Sequence, residues 1–210
     1  MIVHRSVTQG SPEWLQLRLG IVTASEAGQL VTPLFKIKTG AGPETLLFQK
    51  LAEKATGAPV EDFGGNFAME QGKLLEPEAI GLIELMRDIK VERVGFVTTD
   101  DLRAGCSPDG LLGAKSGLEL KCPRPQTHIK YLMEGVAPLA YLPQIHWSMM
   151  VCEADEWEFL SYARGFPPLI VNVKRDEKIQ DTLRAALALF NASFDAAWAK
   201  IETWPTSKHP

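Results

Sequence analysis

One stretch, AGCSPDGLLGAKSGLELKCP from Ala104 to Pro123, constrains this chain more than any other. Two short apolar runs joined by a tight GAKSG link read as buried β-strands. Yet Asp109, Glu119 and Lys121 lie within or beside them. Side chains alternate across a strand, so Glu119 and Lys121 face one side of LELKC, while Leu118, Leu120 and Cys122 face the other, toward a core. The short link favours an antiparallel hairpin, which brings Asp109 beside Glu119. Two ionised carboxylates so close repel unless a positive charge neutralises them. A hard divalent cation such as Mg²⁺ does so through oxygen ligands, and the Leu120 carbonyl can add one more. The Lys121 Cα would lie roughly 6.5–7 Å along the strand from that of Glu119, within reach of a hydrolytic water. Partly desolvated near a cation, this lysine is expected to have a lowered pKa and to orient or deprotonate that water. Glu76, on a helix upstream, can add a further carboxylate. With two cations about 3.5–4 Å apart, such a site stabilises both the attacking and the leaving oxygens of a phosphodiester. On these residues alone a plain alternative stands level: Glu119 with Lys121 as a solvated cross-strand face, and Glu76 as a solvent-facing helical residue.

The remaining elements follow from caps, periodicity and breakers. SPEWLQLRLG reads as a short helix with Ser11 as N-cap, Pro12 at the first helical position and Gly20 at the end. TASEAGQLV reads as a second, capped by Thr23 or Ser25 and stopped near Pro33. Residues 34–44 and 56–65 read as loops around a helix over Leu46–Ala55. Leu34 and Phe35 in the first loop read as buried anchors, or as apolar wedges against DNA. Helical spacing recurs from Asn66 to Arg87 in Met69, Leu74, Leu75, Ile80, Ile83 and Leu85, with a kink or fresh start expected at Pro77. A strand is expected over Ile89–Thr99, then the two strands of the opening stretch. Helices over Gln126–Glu134 and Pro138–Glu153, strands in EWEFLSYAR and PLIVNVKRD, a long amphipathic helix over Asp181–Ile201 and a loose tail complete the chain. This order predicts a single α/β domain with a mixed β-sheet flanked by helices.

A length of 210 residues suits one substantial core. No apolar run approaches the ~20 residues that span a membrane, and the start MIVHRSVTQG lacks signal-peptide character, so an intracellular protein is expected. Cys106, Cys122 and Cys152 form no CxxC pair and read as small buried hydrophobes. The formal net charge of −4 argues against nonspecific coating of nucleic acid, though an enzyme can concentrate positive charge at one site.

SPDG followed by LELKCP resembles the PD-(D/E)xK nuclease superfamily, with its restriction-endonuclease-like core. The chain is more closely similar to the phage lambda exonuclease family, the YqaJ-type viral recombinases. EWLQLRLGIVTASEAGQLV resembles that family's opening motif, EQGKLLEPEAI its G-x-x-x-E helix, and YLPQIHWSMMVCEADEWEF its Y-x-x-Q-x-x-x-x-M segment. The blocks occur in the family's order from near residue 11 to past residue 160. The resemblance implies that Asp109 and Glu119 are metal-binding carboxylates, Glu76 the helical acidic residue, Lys121 the water-positioning lysine and Gln144 an active-site glutamine. It associates Arg18, Ser25 and Ser107 with a 5′-phosphate pocket and Tyr141 with the same active-site helix. An arginine fork with hydroxyls is a good terminal-phosphate receptor, and a helix start near Ser25 would add N–H groups. Taken singly, Arg18 could serve its own helix C-terminus, Ser25 could be only a cap and Gln144 an ordinary polar residue.

The resemblance further implies a Mg²⁺-dependent 5′-to-3′ exonuclease on double-stranded DNA ends, with Mn²⁺ able to substitute for a probable pair of Mg²⁺ ions. It implies 3′ single-stranded tails for recombination, a ring-shaped homotrimer, a single-strand annealing partner and a phage or prophage setting in a bacterial host. The alternatives are an endonuclease of the same fold and a noncatalytic DNA-end-binding module. An N-terminal helical part over about 1–65 would hold the pocket, 66–175 the catalytic core, and 176–210 a C-terminal helix and tail.

Overall fold

A computed structural model describes the backbone of residues 1–60 and 67–204 and the side chains of 1–60 and 74–204. Part of the loop expected over 56–65, the Asn66 start of the following helix, the side chain of Met69 and the tail after Trp204 lie outside the described residues. The elements run β1 (Ile2–His4), α1 (Pro12–Arg18), β2 (Val22–Thr23), a 3₁₀ turn (Ala24–Glu26), α2 (Ala27–Leu30), α3 (Ala41–Thr56) and α4 (Phe67–Arg87). They continue with β3 (Phe96–Thr98), β4 (Ala104–Cys106), β5 (Gly110–Leu111), β6 (Ser116–Lys121) and α5 (Pro125–Glu134). A second 3₁₀ turn (Leu139–Tyr141), α6 (Leu142–Val151), β7 (Glu156–Ser161), β8 (Leu169–Lys174) and α7 (Glu177–Glu202) follow.

The strands divide into two mixed sheets of four, in the orders β1-β3-β4-β2 and β5-β6-β7-β8. The apolar run AGCSPDGLLG is therefore not one strand. Its first part, β4, pairs with β3 and β2 in one sheet, and its second, β5, pairs with β6 in the other. The tripeptide Ser107-Pro108-Asp109 carries the chain between the sheets. Pro108 is well suited to that bridge, since it asks for no ladder hydrogen bond of its own N atom. Its carbonyl accepts from Gln9 Nε2 at 2.9 Å, which ties the crossover to the N-terminal segment.

Three other expectations need correction. The strand expected over Ile89–Thr99 is regular only at Phe96–Thr98, with an isolated bridge from Glu92 to Leu111. Helix α3 begins at Ala41 rather than Leu46, because Pro43 sits in its first turn, where a missing N–H costs nothing. Helix α4 continues through Pro77 rather than restarting there. Strand β1 had no sequence signal: it is three residues long and half-exposed, and only its antiparallel partner β3 defines it.

Strand β6 is covered on both faces. Leu118 and Leu120 pack with Leu160 and Tyr162 against Ala79, Ile80 and Ile83 of α4. The larger core, with Trp147, Trp157, Phe159 and Leu183, lies on the side of α6 and α7. Each fully buried large apolar side chain there is worth roughly 1.5–3 kcal/mol. Gly117 shows how tight the second layer is, since a Cβ at that position would meet the Trp157 ring at 2.3 Å. Gly117→Ala is expected to destabilise the fold by about 1–3 kcal/mol, read as a thermal midpoint several degrees lower. An unchanged midpoint would mean that the buried indole can swing aside.

Candidate active site

The pairing of β5 with β6 brings the acidic groups together as alternation requires. Gly110 is opposite Leu118 and Leu111 opposite Gly117, so Asp109 arrives at the level of Glu119. The Asp109 N–H donates to the Leu118 carbonyl at 3.2 Å, and its carboxylate Oδ2 accepts from the Leu120 N–H at 2.6 Å. Glu119 is 2% exposed and points to the α6 side of the sheet, where Gln144 Nε2 donates to its Oε1 at 2.7 Å. The same oxygen is ion-paired with Lys121 Nζ. The Lys121 ammonium also lies 5.2 Å from the ring centroid of Tyr141, which stacks on Phe159 at 5.5 Å. Helix α6 and the 3₁₀ turn before it thus close the site over β6, with Tyr141 as its apolar wall.

The electrostatics record the cost of this arrangement. Burial pushes the Glu119 carboxyl up to about 7, with the charges of Asp109 and Glu76 adding to the rise and Lys121 opposing it. Burial also raises Asp109, against the pull of Lys121, the Leu120 N–H and Arg93. The Cys122 thiol is pushed up to about 12 by burial first, then by Glu76 and Asp109. Glu76, half-buried on α4, is therefore felt at this face through its charge. Lys121 is set by the protein groups around it. Burial pulls its pKa down, but the Glu119 and Asp109 carboxylates outweigh burial and raise it. Among the described residues no three His, Cys, Asp or Glu side chains stand close enough to form a metal cluster by themselves. The site offers a pair of buried carboxylates, a neighbouring main-chain carbonyl and a lysine that now supplies the neutralising charge.

A second constellation lies across the crossover. Arg18 Cζ stands 4.2 Å from the ring centroid of Trp14, one helical turn earlier on α1. The Trp14 indole N–H donates to Ser107 Oγ at 2.8 Å. On the other flank, Arg18 Nη2 donates to Thr23 Oγ1 at 3.4 Å, and Thr23 Oγ1 lies 3.2 Å from Ser25 Oγ. Arg18, Ser25 and Ser107 are thus gathered into one cluster, linked by Trp14 and Thr23. Burial lowers the Arg18 pKa, opposed by the Glu26 and Glu53 carboxylates. The helix start expected near Ser25 is only a 3₁₀ turn capped at Thr23, so its dipole contributes little. Leu34 is exposed and Phe35 is packed, its ring edge-on to His146 at 5.1 Å, so the two loop residues part company.

Sequence reasoning missed Trp14 and Thr23. Trp14 carried a usable signal, because residues four apart share a helix face and an aromatic ring there can seat a guanidinium. Thr23 carried only its reading as a cap.

The sequence profile of the YqaJ-like viral recombinase domain matches residues 13–155. The chain belongs to the YqaJ-like viral recombinase family. Two crystal structures of LHK-Exo, an alkaline exonuclease from Laribacter hongkongensis, are similar to it, one of them a complex with dAMP. Their TM-score is 0.81 at 26% and 25% identity, with 91% of this chain and 96% of theirs covered. A phage-related exonuclease from Haemophilus somnus 129PT shares the fold at 13% identity and a TM-score of 0.63, over 86% of this chain and 96% of that one. No curated protein matches. The YqaJ-like fold is thus that of the lambda-exonuclease-like nucleases, a restriction-endonuclease-like core of mixed sheets flanked by helices, and the family supports a nuclease role. Among the described residues no helix is long and apolar enough to cross a membrane.

Proposed function

We propose that the protein is a Mg²⁺-dependent exonuclease that degrades one strand of double-stranded DNA from a phosphorylated 5′ end and leaves a 3′ single-stranded tail. The observation that carries this reading is the crossover: Ser107, in the Arg18 cluster, and Asp109, in the carboxylate pair, are separated by one proline. A terminal-phosphate receptor beside a pair of metal-fitted carboxylates suits cutting near an end better than cutting within a duplex.

The donor set fits a hard cation. Asp109 and Glu119 present two buried carboxylates against the single charge of Lys121, and the Leu120 carbonyl adjoins them. Glu76 supplies further negative charge from α4. Two divalent cations, Mg²⁺ or Mn²⁺, would supply charge stabilisation to the scissile phosphate. Lys121 aims the attacking water and is placed to relay its proton. Gln144 fixes the Glu119 carboxylate by its 2.7 Å hydrogen bond, and Tyr141 excludes solvent from the lysine's flank. At the far side Arg18 grips the 5′ phosphate with Ser25 and Ser107 as hydroxyl donors. By family resemblance the working form is a ring-shaped homotrimer inside a phage-infected or lysogenic bacterium, passing its product to a single-strand annealing protein.

The deciding experiment incubates end-labelled linear duplex and closed circular DNA with Mg²⁺, with Ca²⁺ or with chelator. Mg²⁺-dependent release of label from 5′ ends, with the circle untouched, is the expected result. Cutting of the circle would turn the assignment to an endonuclease of this fold, and end binding without turnover to a noncatalytic module. Arg18→Ala is expected to weaken use of 5′-phosphorylated ends by about tenfold or more while hydroxyl ends change little, measured as kcat/KM on the two substrates. Equal loss on both would remove Arg18 from phosphate recognition.

A further inference from the structure

Behind the Arg18 cluster lies an ion network that the reading above does not use. Lys50, on α3 and 3% exposed, donates through Nζ to Glu26 Oε1 at 2.8 Å and to Glu53 Oε2 at 3.0 Å. Glu53, 2% exposed, also accepts from the Gly20 N–H at 3.1 Å and from Gln49 Nε2 at 3.1 Å. The other Glu26 oxygen, Oε2, accepts twice from Thr23: from its N–H at 2.8 Å and from its hydroxyl at 2.9 Å. Every carboxylate oxygen in the triad is thus engaged by a donor. The Thr23–Glu26 pairing is the capping box of the 3₁₀ turn, but burying Lys50 and Glu53 behind it costs more than a well-packed apolar replacement of the same volume, so the buried ions ask for a reason beyond the cap.

The hydroxyl of Thr23 gives that reason. It has one proton and two lone pairs. With the proton committed to Glu26, only lone pairs face the cluster: one accepts from Arg18 Nη2, and Ser25 can lend its own proton to Thr23 until a phosphate claims it. A hydroxyl free to rotate could instead turn its proton toward the guanidinium and push it away. We propose that Glu26, held by Lys50, is a positioning residue that fixes the Thr23 hydroxyl as an acceptor and so aims Arg18 at the terminal 5′ phosphate of the DNA end. This rests on the exonuclease reading and adds to it the device that sets its end selectivity. Lys50 has a second task in the same arrangement: it offsets one of the two negative charges of Glu26 and Glu53, which stand behind Arg18 and would repel an incoming dianion. Trp14 does for Ser107 what Glu26 does for Thr23, in the opposite sense. The indole N–H occupies a lone pair of the Ser107 oxygen and leaves its proton for the phosphate.

A carboxylate is needed at residue 26 because both of its oxygens accept. Glu26→Gln keeps size and shape but puts an amide NH₂ either against Lys50 or against the two Thr23 donors. The test compares kcat/KM on linear duplex with 5′-phosphate and with 5′-hydroxyl ends for wild type, Glu26→Gln, Thr23→Val and Thr23→Ser, with thermal melts of each. The expected result is a phosphate-over-hydroxyl preference that falls about tenfold in Glu26→Gln and in Thr23→Val and is retained in Thr23→Ser. Thr23→Ser guards against a fold effect, since it restores the hydroxyl at nearly the same site. A wild-type preference carried undiminished by Glu26→Gln and Thr23→Val overturns the proposal, as does an equal loss on both kinds of end. A wild type that cleaves without any preference defeats the phosphate pocket itself, a separate failure visible before any variant is made.

Discussion

Replacing Lys121 with alanine is expected to slow hydrolysis of duplex DNA about 10³-fold, with DNA binding and metal binding kept. The size follows from position. Lys121 Nζ sits on the one Glu119 oxygen that also receives Gln144, at the mouth of the carboxylate pair, and the surrounding carboxylates raise its pKa. An amine at that place can aim the attacking water, a task the Gln144 amide, committed to Glu119, does not take over. Binding should survive because the carboxylates stay in place, released from their salt bridge. Single-turnover cleavage and a metal titration on the same variant separate the two effects. Near-normal turnover by Lys121→Ala would remove the water-aiming role and leave the amine as a counter-ion only.

The second large effect is expected from the carboxylates. Asp109→Asn and Glu119→Gln, singly, should each abolish Mg²⁺-supported cleavage, a loss of at least about 10³-fold. In the wild type, Mg²⁺ or Mn²⁺ should raise the thermal midpoint of the free protein, because an ion that binds only the folded state stabilises it by mass action. The variants should lose that shift while melting no lower than wild type without metal. Burial holds Asp109 and Glu119 above their ordinary pKa values, so neutral isosteres remove a desolvated charge that the fold otherwise bears. A metal-induced shift that persists in both variants would place the ion elsewhere.

How much of this could be read from the sequence divides along physical lines. Asp109, Glu119 and Lys121 were legible because strand alternation and a hairpin are local rules, and both operate within twenty residues. The α/β class and most helices were legible from caps and periodicity, with Ser11 accepting from the Trp14 N–H at 3.2 Å as a cap should. What was not legible depended on partners distant in the chain. The run containing Ser107 and Asp109 changes sheet between them, and nothing in an apolar run announces which neighbour each half will find. Thr23 gains its importance from Glu26 and Lys50, and Lys50 lies on a helix whose start had been read as loop. Among the protein groups alone, the Lys121 shift balances burial against two carboxylates, and only the three-dimensional arrangement decides which prevails.

The crossover at Ser107-Pro108-Asp109 has a further consequence. Ser107 and Asp109 are joined by two peptide units, at most about 7 Å of extended chain, with the proline's φ fixed and its carbonyl tethered. A clamp and a blade mounted on so short and stiff a bar cannot drift apart as the enzyme works. On the exonuclease reading such a bar would serve as a gauge, with the spacing between the held terminus and the carboxylate pair built into the backbone.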